Sequence, residues 1–545
     1  MPQTTGPDLK KLMDRAAEAL KKGRPSEAEA PLQKVLKCAP DFPDALFGLA
    51  MVRHRQGRGP AAIELLRRAV AAQPKAVVYA VNLARLLAES GDAAGARAVL
   101  QDCAAKSPDD PTLAYEMGRT ALLLGDPEAA AEALGRAAEL APKAPPVFGA
   151  LGVAYQMLGD GESARAAYET AIELGSRDAD DYFNLGTVHM NAARYDAAMP
   201  LLARAGELNP GHQPAFASLG ILRARSLDYA GAVAPLKRAL ELAPDDARVV
   251  NDLVYALAAA GEAAEGVKVC ERFLKLHPEV VQLYPQLAFA HMRAGDPEAA
   301  IGACDEALRR GRHPTPALSV KSAALNELGR RDEAAFLLDF TRLIQVVRPA
   351  PPPGYASMAA FNQALVQYLL DEPSLTYAKT NRTMEKGRGT LELFDGREHG
   401  AALALKGLIE AAARQYMTDH PRDAGHPYLA DPPARLEAKC WGNVYDREGR
   451  QFVHCHPTAW LSGVYYPALP ATMKNAPAGS RAGWIEFGRP LHRLESSDEP
   501  PVHLVKPEEG LMVLFPSYFG HQTMPVTDCD EKRVSIAFDL EPVAV

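Results

Sequence analysis

The sequence has no run of about 18 consecutive apolar residues, the length that a helix needs to cross a bilayer. Its first residues also lack the apolar core of a signal peptide. No block of consecutive like charges occurs, and a net charge of −8 gives no electrostatic basis for binding nucleic acid. These absences predict a cytoplasmic protein with no membrane and no nucleic-acid partner.

Cysteine is scarce, and its spacing excludes a disulfide framework. The number of cysteines is odd, and no two of them stand in a CxxC pattern. Such a set is typical of reduced thiols in a cytoplasm. The seven are Cys38, Cys103, Cys270, Cys304, Cys440, Cys455 and Cys529.

What the sequence does contain is a repeat of 34 residues. Glycine recurs at 23, 57, 91, 125, 159, 261, 295 and 329, with Ala193 and Leu227 at the two positions that lack it. Proline recurs at 40, 74, 108, 142, 210, 244 and 278, and a small residue recurs from Ala28 to Ala334. The glycine suits a left-handed helix end, the small residue lets two helices approach closely, and the proline ends the second helix. The pattern predicts ten helical hairpins without an insertion.

This pattern resembles the tetratricopeptide repeat over residues 8 to about 345, which implies an all-α superhelix across residues 1–345. The first helices of such hairpins line a concave face, so we expect a peptide or protein partner there; ordinary solvated surface is the alternative. One column on these helices is mostly hydrogen-bonding. Its candidate partner-binding residues are Asn82, Glu116, Asn184, Asp252 and Gln286.

The repeat stops at a proline-rich segment, "RPAPPPGY", and we place a linker at residues 346–356. Residues 357–545 form the predicted second domain. It begins with helical periods and changes, at about 436–541, to short runs rich in aromatic and β-branched residues. Seven or eight such strands predict a small barrel or jelly roll.

Three histidines in the β-rich region suggest a metal site. His454 and His456 stand two apart, so on an extended strand they face the same side. His521 comes 65 residues after His456 and can complete a triangle of ligands with open positions opposite. The alternative is a hydrogen-bonded structural pair. Cys455 is expected to pack on the opposite side, and the aromatic residues nearby, with Asn443, are expected to form core or pocket wall.

The segments "SGVYY", "GWIEFGRP", "LFPSYFGH" and "RVSIAF" resemble iron(II)/2-oxoglutarate-dependent oxygenases of the prolyl-hydroxylase-like type, over residues 436 to 541. The resemblance implies a double-stranded β-helix (jelly-roll) domain with flanking helices and Fe(II), 2-oxoglutarate and O2 as cofactor and cosubstrates. It implies that His454 and His521 bind iron. The superfamily usually has an aspartate two residues after the first histidine, where this chain has His456. The sequence therefore leaves open whether His454 or His456 is the better iron ligand.

The resemblance also implies a binding site for 2-oxoglutarate. Arg533 would pair with its far carboxylate, because a guanidinium is always charged and offers a planar fork. The alternative is a surface ion pair with Asp530 or Glu531. A hydroxyl from Tyr465 or Tyr466 would reach the same carboxylate, and strand alternation allows only one of them to point inward.

The resulting hypothesis is a dioxygenase that hydroxylates a peptide or protein held by the repeats. Two alternatives stay open. One is a hydroxylase of a small molecule or carrier-bound intermediate, with the repeats recruiting a partner. The other is a non-catalytic adaptor whose β-domain keeps only a structural metal.

Overall fold

We analysed a computed structural model of the 545-residue chain. It describes residues 6–311, 315–377, 384–396, 398–477, 479–491, 494, 499–526 and 531–543. The chain divides into two compact units, Met1–Ala215 and Phe216–Val545.

Helices fill the described residues up to 337 and pair into antiparallel hairpins, each second helix packing on the first. In the first unit they are α1 Gly6–Lys21, α2 Pro25–Cys38, α3 Pro43–Arg55, α4 Gly59–Ala72, α5 Val77–Glu89, α6 Ala93–Ala104, α7 Pro111–Leu123, α8 Pro127–Leu140, α9 Pro145–Met157, α10 Gly161–Glu173, α11 Ala179–Asn191 and α12 Tyr195–Leu208. The helical array continues with α13 Gln213–Arg225, α14 Tyr229–Leu242, α15 Ala247–Ala260, α16 Ala263–Leu276, a 3₁₀ turn at Val281–Leu283, α17 Tyr284–Arg293, α18 Pro297–Arg310, α19 Thr315–Glu327 and α20 Arg331–Leu337.

The turn inside each hairpin has the left-handed conformation that the glycine column predicts. The column glycines all have positive φ, from +68° at Gly23 to +93° at Gly261. Ala193 and Leu227, which replace glycine, keep the same conformation with φ of +54° and +66°. The repeat geometry therefore overrides the local preference of these two residues, at a cost of about 1–2 kcal/mol each.

The small-residue column is buried where the two helices of a hairpin meet. Ala62, Ala96, Ala130 and Ala164 are fully buried, as predicted. Several second helices also begin with an aspartate whose carboxylate accepts a backbone N–H of the first turn, as Asp126 does from Ala129. Small contacts and capped ends thus explain why each 34-residue unit forms the same hairpin.

The remaining elements build a β-domain with helices packed against it. They are α21 Phe340–Leu343, β1 Gln345–Val347, α22 Met358–Leu370, β2 Thr376–Tyr377, β3 Met384–Gly389, α23 Gly400–Asp419, β4 Leu436–Gln451, β5 Leu461–Ala468, α24 Ala471–Lys474, β6 Ile485–Phe487, β7 His503–Val505, β8 Met512–Pro516, β9 His521–Thr523 and β10 Arg533–Pro542. The larger sheet has the order β1-β8-β5-β10-β4-β3-β2 and the smaller one β7-β6-β9, with antiparallel pairing throughout. An all-α repeat array followed by a jelly-roll domain with flanking helices is the predicted fold, and it is confirmed.

Strand β1 begins before the proline-rich segment and pairs with β8 of the larger sheet. The preceding helices are bonded to the same domain: Thr315 Oγ1 donates to the carbonyl of Ala459 at 2.8 Å, and the buried Tyr518 hydroxyl donates to the carbonyl of Leu337. The last hairpin, α19–α20, is therefore part of the packing of the β-domain. Among the residues that the structure describes, no helix is both long and apolar enough to span a membrane.

Candidate metal centre

Backbone pairing brings the three histidines together. His454 and His521 form a two-way bridge, in which each N–H donates to the other's carbonyl at 3.1 and 3.0 Å. The His456 N–H donates to the Ser517 carbonyl at 3.1 Å. Residues 452–457 are therefore not the continuous strand that the sequence predicts; β4 ends at Gln451, and only His454 is bridged. The pairing still directs both histidines to one point.

The ring nitrogens of His454, His456 and His521 converge. One nitrogen of each lies within 4.8 Å of those of the other two, and the Nε2 atoms of His456 and His521 are 3.4 Å apart. The other nitrogen of each ring, Nδ1, already has a hydrogen-bond partner in the protein. Nδ1 lies 2.8 Å from the Phe452 carbonyl in His454 and 3.0 Å from the Phe519 carbonyl in His521, and 2.9 Å from a carboxylate oxygen of Asp539 in His456.

These partners decide what the cluster can bind. Carbonyl and carboxylate oxygens only accept hydrogen bonds, so each Nδ1 carries the proton and each Nε2 keeps a free lone pair. Burial lowers the pKa of His454 to about 4 and that of His521 well below its ordinary value, and the neighbouring imidazoles lower both further. Neutral rings with converging lone pairs are the donor set of a transition-metal ion. The residues present therefore fit a metal such as Fe(II).

Arg533 lies in the pocket beside the histidines rather than on the surface. It is 3% exposed, and burial lowers the pKa of its guanidinium. Its nitrogens reach only neutral oxygens, the nearest being Thr523 Oγ1 at 3.2 Å, and the guanidinium stacks on the ring of Tyr445. Within the described part of the chain, no carboxylate pairs with it; Asp530 lies outside that part. A buried cation without a counter-charge favours an anionic ligand.

The two tyrosines of β5 face opposite sides. Tyr466 lines the pocket with Arg533, and its buried hydroxyl has no hydrogen-bond partner among the described residues. Tyr465 points away, and its hydroxyl donates to Asn362 Oδ1 of α22 at 2.5 Å. Tyr466 is therefore the one with a hydroxyl free for a ligand.

Four polar side chains complete the pocket wall, and they belong to Asn443, Gln451, Thr523 and Ser535. Asn443, which the sequence placed in the core or pocket wall, is 5% exposed and pairs in register with Ser535 of β10. Asp539, the partner of His456, went unnoticed in the sequence. The signal was present, since Arg533, Ser535, Ala537 and Asp539 alternate along β10 and three of them line the pocket.

The first helix of the last hairpin, α19, lies next to this site. Ser319 of α19 lies beside the thiol of Cys455, the residue between His454 and His456, and Cys455 is not part of the histidine cluster. In the same unit, Gln286 of α17 has a buried amide nitrogen without a partner among the described residues. Asp252 of α15 is partly buried, which raises the pKa of its carboxyl, and its partner is the Asn251 amide at 3.2 Å.

The other candidate partner-binding residues belong to the first unit, and two of them are held by internal bonds. Glu116 is 4% exposed and pairs with Arg85 and Arg119. Asn82 donates to the carbonyl of Val78 in its own helix at 2.7 Å. Asn184 is half-buried beside Tyr168.

Comparison with known families agrees with both halves of the fold. A model described as "Putative 2OG-Fe(II) oxygenase" matches residues 439–539. Tetratricopeptide repeat models match residues 13–77, 150–212 and 218–281, and a second such model matches 87–154. No protein among the curated ones matches the chain.

Solved structures similar to the chain are repeat proteins. A tetratricopeptide repeat protein from Parabacteroides merdae is 16% identical with a TM-score of 0.37, over 46% of this chain and 100% of its own. PilF of Pseudomonas aeruginosa is 20% identical with a TM-score of 0.35, over 38% of this chain and 94% of its own. YrrB, titled a TPR protein with an unusual peptide-binding site, is 22% identical with a TM-score of 0.30, over 36% of this chain and 98% of its own. On the family matches, the chain joins tetratricopeptide repeats to a domain that matches the "Putative 2OG-Fe(II) oxygenase" model.

Proposed function

We propose that this protein is an Fe(II)- and 2-oxoglutarate-dependent dioxygenase that hydroxylates a peptide or protein substrate. The observation that carries the proposal is one pocket with three converging imidazoles, a buried guanidinium and a buried tyrosine hydroxyl. Among the described residues, the guanidinium has no carboxylate partner and the hydroxyl has no hydrogen-bond partner, and Fe(II) and a dicarboxylate would complete all of these groups.

The roles of the residues follow from their atoms. The Nε2 lone pairs of His454, His456 and His521 would hold Fe(II), and the hydrogen bonds made by each Nδ1 would fix the orientation of the rings. Arg533 and the Tyr466 hydroxyl would bind the far carboxylate of 2-oxoglutarate by charge-assisted hydrogen bonds. When bound, Fe(II) and 2-oxoglutarate supply the oxidation, in which O2 and 2-oxoglutarate yield succinate, CO2 and a hydroxylated substrate. The buried walls around His521 exclude water from the reaction.

A peptide substrate is supported by where the repeat array meets the site. Helix α19 belongs to the column of first helices that would line a concave face, and its Ser319 lies beside Cys455, between the proposed iron ligands His454 and His456. On the first helices of the two preceding hairpins, Tyr255 and Phe289 stack with ring centroids 5.4 Å apart, and the buried amide nitrogen of Gln286 has no partner among the described residues. Aromatic rings and amide donors suit the side chains and carbonyls of an extended chain.

The metal and cosubstrate are tested by anaerobic titration of the purified protein with Fe(II) and 2-oxoglutarate. We expect a visible charge-transfer band in the wild type. We expect no band in His521→Ala and a much weaker response to 2-oxoglutarate in Arg533→Met. His277→Ala and Arg450→Met, whose side chains are paired with Asp245 and Glu385, are the matched controls and should retain the band. A wild type without the band would favour the adaptor hypothesis.

The substrate class is tested by succinate release with a peptide library and, separately, with a panel of small hydroxylatable metabolites. We expect peptides to stimulate release. Gln286→Ala should raise KM for a stimulating peptide while leaving the charge-transfer band unchanged, because Gln286 does not line the pocket that holds the three histidines. Stimulation by metabolites alone would refute the peptide assignment.

A further inference from the structure

The carboxylate of Asp539 is buried directly behind one of the three histidines. Its side chain is on β10, 4% exposed. Oδ2 accepts from His456 Nδ1 at 2.9 Å, and Oδ1 accepts from Ser462 Oγ at 2.7 Å. Ser462 Oγ is in turn 2.7 Å from Ser517 Oγ. Both hydrogen bonds to the carboxylate are therefore made by buried or half-buried groups.

No lysine or arginine of the described residues forms an ion pair with this carboxylate. Among the described residues, only His456 can place a positive charge within 4 Å of the Asp539 carboxylate. A buried carboxylate is costly unless a positive charge lies close. An ion held at Nε2 of His456 would be that charge, relayed through the imidazole ring.

The three histidines are not equivalent in this respect. His454 and His521 donate from Nδ1 to neutral backbone carbonyls two residues earlier in the chain, whereas His456 donates to an ionisable carboxylate. A carboxylate partner raises the basicity of a ligating imidazole more than a carbonyl does. His456 is then the most electron-rich of the three ligands.

We propose that Asp539 is a positioning residue of the metal centre. It fixes the tautomer of His456 and supplies, through that ring, the negative charge that an aspartate at position 456 would have supplied as a direct ligand. The inference rests on the proposed metal site and deepens it. It assigns the superfamily's carboxylate function to a residue 83 positions further along the chain.

The test is a titration of the full-length metal-free protein with Co(II), read by the visible d–d absorption of the bound ion. Asp539→Asn keeps the size of the side chain and removes its charge, and we expect Co(II) to bind 10–100-fold more weakly with a shifted spectrum. Asp539→Glu restores the charge and should bind Co(II) more tightly than Asp539→Asn. Glu541→Gln removes the charge of another β10 carboxylate, which pairs with Lys439, and is the matched control, with an affinity within about threefold of the wild type.

The outcomes separate the two proposals. If the wild type binds no Co(II), the metal site itself is wrong. If the wild type binds Co(II) and Asp539→Asn binds it equally well with the same spectrum, the metal site stands and the role of Asp539 is refuted. Urea unfolding of each metal-free variant distinguishes a loss of fold from a loss of affinity. Should Asp539→Asn not fold, an affinity of Asp539→Glu equal to that of the wild type supports the proposal, and an affinity as low as that of His456→Ala overturns it.

Discussion

Removing the repeats should unfold the oxygenase domain, although the sequence places a linker between them. The reason is a set of hydrogen bonds that joins residues 315–343 to the β-domain and its helices. In four of them a side chain of the second domain donates to a backbone carbonyl of the first, and in the fifth the direction is reversed. The pairs are Tyr416–Leu343, His420–Arg342, His426–Phe336, Tyr518–Leu337 and Thr315–Ala459.

The size of the effect can be worked out from these contacts. A buried hydrogen bond contributes about 1 kcal/mol net, so the five contribute about 5 kcal/mol. Removal of β1 also leaves the edge of β8 unpaired. A domain is stable by only about 5–15 kcal/mol in all. The hydrogen bonds alone therefore amount to a large part of the stability of residues 348–545.

The assay is tryptophan fluorescence during urea unfolding, because the three tryptophans, Trp441, Trp460 and Trp484, all belong to the β-domain. The fragment 348–545 should show no cooperative transition. In the full-length chain, the double variant Tyr416→Phe/Tyr518→Phe removes two of the five bonds and should lower the free energy of unfolding by about 2 kcal/mol at an unchanged m-value. A fragment that unfolds cooperatively at the urea midpoint of the full-length chain would refute the reasoning.

Three further predictions use single residues. Tyr466→Phe should weaken 2-oxoglutarate binding about 5–10-fold in a charge-transfer titration, whereas Tyr465→Phe should leave it unchanged and lower the urea midpoint instead. Leu227→Gly should stabilise the repeats by about 1 kcal/mol, seen by circular dichroism, because glycine relieves a left-handed φ; an unchanged midpoint contradicts this. Burial lowers the pKa of His426, so its contribution to stability is present above pH about 6.5 and is lost as the pH falls through the folded pKa. His426→Gln should therefore flatten the decline of the tryptophan-detected midpoint between pH 7 and 5, and an equally steep decline would exclude this role.

Much of the fold could be predicted because the same residue pattern recurs in every repeat unit. Even where glycine is missing, as at Ala193, the neighbouring units impose the same turn. The bonds of Thr315 and Tyr518 could not be predicted, since contacts between distant segments leave no local pattern in one sequence.

The candidate site, too, could be predicted only in part. The spacing of His454, His456 and His521 indicates a cluster, and strand alternation limits the tyrosine choice to one of two. Only the packing of α22, whose Asn362 takes the Tyr465 hydroxyl, decides which one faces the pocket. Strand alternation could have placed Asp539 on the same face of β10 as Arg533. It cannot predict that the carboxylate contacts His456 rather than solvent.

The hydrogen bonds of Thr315 and Tyr518 constrain how this chain can change in evolution. Hairpins upstream of α19 can be duplicated or lost while the final hairpin stays bonded to the β-domain. An extra unit inserted after Leu337 would instead carry a new helix pair between Tyr518 and its acceptor. Growth of the array is thus permitted from its amino-terminal side and blocked at its carboxyl-terminal end.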